Sequence, residues 1–170
     1  MKHYLFLPVL MVLMFVSACS DDDKNGPTSV PEQFTKALTV KYPDAKVYEW
    51  DREGPYRVAE CRIEGLEADV WFDATAQWVM TRMELQKSLM AVPTAVANQV
   101  AAGQYATWKI EEVELFLRSY AESETAPREF YVIEVSNPGQ QEMALYYTPE
   151  GVLLKTIPEY QHNVTPTSVI

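Results

Sequence analysis

The chain has 170 residues, of which 48% are hydrophobic and 22% are charged, and its formal net charge is −10. A length of this order suits one domain with a sizeable core, or two small fused units. The negative charge argues against a nucleic-acid partner, because it would repel the phosphate backbone, and equally against adsorption to anionic lipid.

Residues 1–18 have the pattern of a secretory signal peptide. Lys2 precedes an apolar run from Tyr4 to Ala18, and about 15 residues are too few to span a bilayer, which needs roughly 20. The sequence Val16-Ser17-Ala18-Cys19 resembles a bacterial lipobox, in which the cysteine is lipidated before the leader is removed. We therefore predict a lipid anchor on Cys19 and a location in the cell envelope, on the periplasmic or surface face of the outer membrane. The alternative is a plain secretory signal that is cut elsewhere.

Residues 19–29 are polar and contain Gly26-Pro27, a composition typical of a flexible tether. The folded part begins at residue 30. We divide it into a first unit, residues 30–88, a second unit, residues 89–158, and a C-terminal tail, residues 159–170.

The residue pattern of the first unit predicts one helix followed by four strands. The helix begins at Val30-Pro31, where proline supplies a preset φ angle, and its apolar residues recur with the helical period of 3.6. These apolar residues are Val30, Phe34, Ala37, Leu38 and Tyr42. The strand candidates are Lys46 to Asp51, Tyr56 to Ile63, Glu67 to Asp73 and Trp78 to Leu85.

The second unit shows the same pattern, with a helix that begins at Val92-Pro93. Its strand candidates are Trp108 to Arg118, Glu129 to Ser136, Gln141 to Tyr147 and Val152 to Ile157. We therefore predict an α+β fold, a tandem repeat of one helix plus four antiparallel strands, whose units share one sheet or pack edge to edge. The alternative is a single α+β domain whose halves are alike by chance.

Several aromatic and acidic positions resemble a known family. They are Glu49-Trp50, Tyr56 to Cys61, Val70 to Asp73, Trp78 and Val92-Pro93. In this order they are similar to the PepSY-like, β-lactamase-inhibitor-like domain family of Gram-negative secreted proteins and lipoproteins. The resemblance implies helices on one face of an antiparallel sheet and an open opposite face. It supplies no catalytic residue, and the turn after Asp73 lacks the glycine that is usual in the family.

The small number of histidines restricts the kinds of catalytic and metal site that the chain can form. Beyond the leader the only histidine is His162, which lies in the tail and is expected to be frayed. Nucleophilic sites of the Ser-His-Asp or Cys-His type need an imidazole held by a third group, and zinc sites typically use His and Cys clusters. Cys61 shares a strand face with Ala59 and Ile63, so we interpret it as a buried apolar residue without a disulfide partner. We therefore predict no enzymatic activity, no cofactor and no metal.

Carboxylates leave one catalytic alternative open, because a glycosidase needs only a pair of them at a defined separation. The candidates are Glu49, Asp51, Glu60, Asp69 and Asp73. Spacing along the chain does not assign partners among them.

The sheet face that the helices leave open is the best functional candidate. In the strand Glu67 to Asp73, alternation places Trp71 among three carboxylates on one face and three apolar residues on the other. Aromatic residues are enriched in binding hot spots. The predicted binding residues are Trp50, Tyr56, Glu60, Asp69, Trp71, Trp78, Phe130 and Tyr146. The alternative is that the helices or the tail cover these rings, or that the rings only stabilise cross-strand pairs.

Together these observations predict a non-catalytic, lipid-anchored binding module that holds, or also inhibits, an envelope or extracellular protein or peptide. The alternative is a carboxylate-dependent hydrolase or a glycan-binding surface lipoprotein, because sugars also stack on indole rings. A third hypothesis is a structural envelope protein that has no discrete ligand.

Overall fold

The computed structural model describes residues 30–119 and 127–166. The predicted leader, the tether and Cys19 lie outside these residues, so those assignments stay predictions. The helices are α1 (Glu32–Lys41) and α2 (Thr94–Ala102). The strands are β1 (Lys46–Glu53), β2 (Tyr56–Ile63), β3 (Leu66–Phe72), β4 (Trp78–Glu84), β5 (Lys109–Arg118), β6 (Glu129–Ser136), β7 (Met143–Tyr147) and β8 (Leu153–Pro158). Short 3₁₀ turns occupy Leu89–Ala91 and Glu159–Gln161.

The eight strands form one sheet in which each strand pairs with the next along the chain, in the order β1 to β8. All seven pairs are antiparallel. The predicted antiparallel sheet with two helices is therefore confirmed. β4 pairs with β5 and so joins the two halves of the chain in one sheet. That the halves are copies of one repeated unit stays a prediction.

Both helices pack on the same face of the sheet. The N-cap positions of α1 and α2 are Pro31 and Pro93, and each helix turns two buried apolar residues toward the strands. Around α1 the buried cluster consists of Phe34, Leu38, Ala59, Cys61, Ile63, Ala68, Val70 and Phe72. Around α2 it consists of Val92, Val96, Val100, Val113, Tyr131, Ile133, Val135, Leu145 and Tyr147.

The C-terminal end of α1 is hydrogen-bonded to the sheet. The Tyr42 hydroxyl donates to Thr81 Oγ1 at 2.8 Å, and the indole Nε1 of Trp78 donates to the same oxygen at 2.9 Å. Because Thr81 is fully buried, these bonds satisfy a polar atom that would otherwise be costly.

The face opposite the helices, which is predicted to be open, is covered in part by a buried cluster that extends from β2 to β7. The buried residues there, called the aromatic cluster below, are Val58, Trp71, Val79, Met80, Phe116, Phe130, Val132, Ala144 and Tyr146. Leu154, Ile157 and Val164 pack against them. Residues 159–166, which we call the tail segment, therefore run over this face with His162 and Val164 turned inward.

Within the part of the chain that the structure describes, neither helix has the length and apolar character needed to cross a bilayer.

Candidate functional site

The first half of the face opposite the helices carries a concentration of carboxylates, which we call the acidic face. Cross-strand register builds it, because paired residues of neighbouring strands point to the same side of a sheet. One row of partners runs Glu49, Glu60, Asp69 and Arg82. The acidic face consists of Glu49, Asp51, Glu60, Glu67, Asp69 and Glu84, with the cations Arg62 and Arg82.

The carboxylates of this face are close enough to repel one another. The pKa of Glu60 is raised by burial and then by the negative charges of Asp69, Asp51 and Glu49. Burial also raises the pKa of Asp69, although the neighbouring Arg82 guanidinium opposes that rise. A partner that brings positive charge would relieve this repulsion.

The acidic face contains a depression of about 300 Å³. Its lining includes Tyr48, which is 56% exposed, and the carboxylates of Glu60, Glu67 and Asp69. The Arg62 guanidinium forms an ion pair with Glu67 on its border. The depression thus offers a polar floor and one exposed ring to a partner.

A chain of partly buried polar contacts leads from the acidic face into the second half of the sheet. Arg82 contacts Asp69 Oδ2 at 2.8 Å through Nη2 and Glu114 Oε1 at 3.0 Å through Nη1. The other oxygen of Glu114, Oε2, lies 2.8 Å from His162 Nε2. His162 Nδ1 in turn hydrogen-bonds the Tyr146 hydroxyl. Glu114 is only 1% exposed, and these contacts compensate the burial of its charge.

Glu134 lies beside this chain on β6, where it pairs across the sheet with Glu112 of β5. Burial, followed by the charges of Glu112 and Glu114, raises the pKa of Glu134 to about 7, although His162 opposes this rise. Negative charges therefore dominate the surroundings of the Glu134 carboxylate.

The prediction that His162 is frayed in the C-terminal tail is wrong. Its side chain is 6% exposed, and its ring packs edge-on against Phe116 and Tyr146, with centroids at 6.1 and 5.6 Å. The sequence contains no local signal for this, because the partners lie on β5 and β7, far away along the chain. The imidazole is fixed between Glu114 and Tyr146.

The predicted exposure of the aromatic binding residues is also corrected. Trp50 and Trp78 lie on the helix side, where Trp50 packs against Phe34 with ring centroids 6.3 Å apart. The Lys41 ammonium lies 3.5 Å from the Trp78 ring centre. Trp50 pairs with Ala59 on the helix side of β2, and a register shift between Trp71 and Phe72 turns Trp78 the same way.

The other predicted aromatic residues do lie on the face opposite the helices, but most of them are buried. Trp71, Phe130 and Tyr146 are each at most 1% exposed within the aromatic cluster. Tyr56 is partly buried and lines a depression of about 340 Å³ together with Asn163, Val164 and Thr165 of the tail segment. Glu60 and Asp69 are the predicted residues that the structure brings together on the acidic face.

Asp73, one of the candidate catalytic carboxylates, is committed to a turn. Its Oδ1 accepts hydrogen bonds from the Thr75 N–H at 2.8 Å, the Thr75 hydroxyl at 2.7 Å and the Gln77 N–H at 3.0 Å. These bonds hold a turn in which Ala76 adopts a φ of 62° without the usual glycine. Burial alone would raise the pKa of Asp73, but the hydrogen bonds outweigh it and lower the pKa.

Cys61 is confirmed as a buried free thiol. It is 1% exposed and packs in the cluster around α1. Burial, followed by the charges of Asp69 and Glu67, raises its pKa to about 11. The thiol is therefore not activated as a nucleophile.

Comparisons with known proteins identify both a family and solved relatives. The family model described as "Putative beta-lactamase-inhibitor-like, PepSY-like" matches residues 55–155. A BLIP-like protein from Bacteroides fragilis NCTC 9343 is 30% identical with a TM-score of 0.71, and the match covers 85% of this chain and 95% of that one. A DUF2874 family protein from Bacteroides ovatus ATCC 8483 is 27% identical with a TM-score of 0.70, covering 85% of this chain and 98% of that one.

A third solved structure, described as putative periplasmic proteins from Bacteroides eggerthii DSM 20697, is 28% identical with a TM-score of 0.66. Its match covers 75% of this chain and 88% of that one. A search of the curated proteins finds no match to this chain.

Proposed function

Because this chain belongs to the PepSY-like, β-lactamase-inhibitor-like family, we propose that it is a non-catalytic, lipid-anchored binding module of the cell envelope. It binds a protein or peptide that carries basic side chains, through the acidic face. Inhibition of that partner would follow where the bound segment belongs to its active site. The observation that carries this proposal is the set of mutually repelling carboxylates around the depression beside Tyr48.

Charge and shape together support a basic partner. Lysine and arginine side chains would offset the repulsion among Glu49, Asp51, Glu60 and Asp69 and would gain charge-assisted hydrogen bonds. Tyr48 adds an exposed ring at the rim, where an arginine could stack. The alternative of sugar binding loses its main support, because it relied on exposed tryptophans, and Trp50, Trp71 and Trp78 are packed into the fold.

A photo-crosslinking experiment tests the binding surface. A benzophenone amino acid replaces Tyr48 on the acidic face or, as the matched control, Tyr160, which is 68% exposed in the tail segment beyond β8. Irradiation of intact cells should give a discrete protein adduct from position 48 and none of the same mass from position 160. Adding Glu49→Lys and Asp51→Lys should abolish that adduct, since both residues are exposed and charge reversal would repel a basic partner.

The matched charge control is Glu32→Lys with Glu150→Lys, two exposed residues outside the acidic face. These substitutions should leave the adduct unchanged. No adduct from position 48, or an adduct that survives Glu49→Lys with Asp51→Lys, would contradict the proposal.

The membrane anchor is tested at its own residue. Cys19→Ser should move the protein from the membrane fraction to the soluble fraction and abolish labelling by a palmitate analogue, because the thiol is the acyl acceptor. Cys61→Ser is the matched control and should leave both fractionation and labelling unchanged. Retention of the Cys19→Ser protein on membranes would show that another feature holds it there.

A further inference from the structure

Three potential metal ligands from three separate elements converge where the tail segment meets the sheet. They are Glu114 of β5, Glu134 of β6 and His162, and one ligand atom of each lies within 4.8 Å of the other two. His162 Nε2 and Glu114 Oε2 lie 2.8 Å apart. Metal–ligand bonds of about 2.0–2.2 Å place neighbouring ligand atoms roughly 3–3.5 Å apart, so small side-chain adjustments suffice to enclose one ion.

The charges around this point favour a cation. Glu112 of β5 pairs across the sheet with Glu134 and so adds a third carboxylate beside the two proposed glutamate ligands. Within residues 30–119 and 127–166, Arg82 is the one arginine or lysine that hydrogen-bonds Glu114. Arg82 contacts Oε1 of Glu114, and the other oxygen, Oε2, faces His162. Among those same residues, none forms a hydrogen bond or ion pair with the Glu134 carboxylate.

The second nitrogen of His162 is held in the manner typical of metal-bound histidines. Such rings usually use one nitrogen for the metal and hydrogen-bond a neighbouring group through the other. Here the Tyr146 hydroxyl occupies the Nδ1 side. A phenol can both donate and accept a hydrogen bond. The Tyr146 hydroxyl can therefore accept a hydrogen bond from Nδ1–H when Nε2 binds a metal, and it can donate one to Nδ1 when the ring is metal-free.

We propose that Glu114, Glu134 and His162 form a binding site for one divalent transition-metal ion of the zinc type, with water as the remaining ligand. A mixed set of one imidazole and two carboxylates suits zinc and its neighbours better than calcium or magnesium, which take oxygen ligands. The ion would tie the tail segment to β5 and β6 and so hold the cover over the aromatic cluster. Arg82 of the acidic face contacts Glu114, but the proposed metal site does not depend on the function proposed for that face.

Titration of the purified protein with Zn²⁺ in a calorimeter, and with Co²⁺ in a spectrophotometer, tests the site. We expect saturable binding of one ion per chain and visible Co²⁺ absorption typical of a low-coordinate nitrogen and oxygen site. Glu134→Gln should weaken Zn²⁺ binding by at least about 100-fold, since even partners outside the ligand set cost 10–100-fold. Tyr146→Phe, which removes only the hydroxyl behind His162, should weaken it by roughly 10-fold.

Glu112→Gln is the matched control, because it removes the same charge from the strand partner of Glu134 without removing a ligand. It should change the affinity by less than about 5-fold, the scale of a partly solvated charge effect. Circular dichroism of each variant establishes that it is folded. No saturable binding at millimolar Zn²⁺, or equal weakening by Glu112→Gln and Glu134→Gln, would overturn the proposal.

Discussion

Replacing Trp71 with alanine is expected to lower the free energy of unfolding by about 3–5 kcal/mol, the range for a large aromatic residue removed from a core. The side chain is 1% exposed and contacts the aromatic cluster, so truncation leaves a cavity there. It also removes the hydrogen bond that the indole Nε1 donates to Glu53 Oε2 at 2.8 Å. Urea unfolding followed by tryptophan fluorescence and circular dichroism measures the loss.

Tyr48→Ala is the control for this prediction, because Tyr48 is 56% exposed on the acidic face. Its free energy of unfolding should stay within about 0.5 kcal/mol of the unmodified protein. If Trp71→Ala were equally mild, the ring would not be part of the core, and a role as an exposed binding residue would return. The same comparison shows why loss of partner capture in Trp71→Ala would be uninformative unless the variant is shown to be folded.

The sheet itself was largely predictable, and β3 shows why. Alternation along Glu67 to Asp73 separated Trp71 from Val70 and Phe72 correctly, since Val70 and Phe72 pack under α1 while Trp71 lies opposite. Period-two alternation determines which residues of one strand share a face. Alternation does not determine which residues of the neighbouring strand lie on that same face of the sheet, because that depends on the register between the two strands.

Register is where the prediction of Trp50 and Trp78 went wrong. Trp50 pairs with Ala59, so it lies on the helix side although its neighbours in the chain, Glu49 and Asp51, lie on the acidic face. The irregularity between β3 and β4 turns Trp78 to the same side. A bulge of this kind adds one residue to a strand, so that every later side chain of the strand points to the other face of the sheet. The composition of the chain does not mark the bulge here.

The covering of the aromatic cluster could not be predicted for a different reason. The tail segment has no periodic pattern, and its anchors are single residues: His162 contacts Glu114, and Val164 packs against the aromatic cluster. Such contacts depend on positions far apart in the chain that come together only once the sheet has formed. The cluster of Glu114, Glu134 and His162 could not be predicted for the same reason, because the three residues are far apart in the sequence and match no short ligand motif.

The second large effect is expected at Gly151, in the turn between β7 and β8. Its φ is +83°, and a Cβ added there would lie 2.7 Å from the Ala95 carbonyl oxygen and 2.9 Å from its carbon, both in the backbone of α2. A flexible side chain could move away, but a helix backbone cannot without shifting α2 from the sheet. Gly151→Ala should therefore lower the free energy of unfolding by about 2–4 kcal/mol, from overpacking together with left-handed strain.

Gly139→Ala separates the two contributions. Gly139 has a similar φ of +78°, but a Cβ there would meet nothing within 4 Å, so this substitution should cost only the backbone strain of about 1–2 kcal/mol. The excess loss in Gly151→Ala then measures how tightly α2 is seated on the β7–β8 turn. Because α2 packs behind Val113 and Ile133, the neighbours of Glu114 and Glu134 on β5 and β6, a displaced helix should also weaken Zn²⁺ binding at the proposed site. Equal losses of stability in the two glycine variants would mean that α2 yields easily and does not set the positions of those carboxylates.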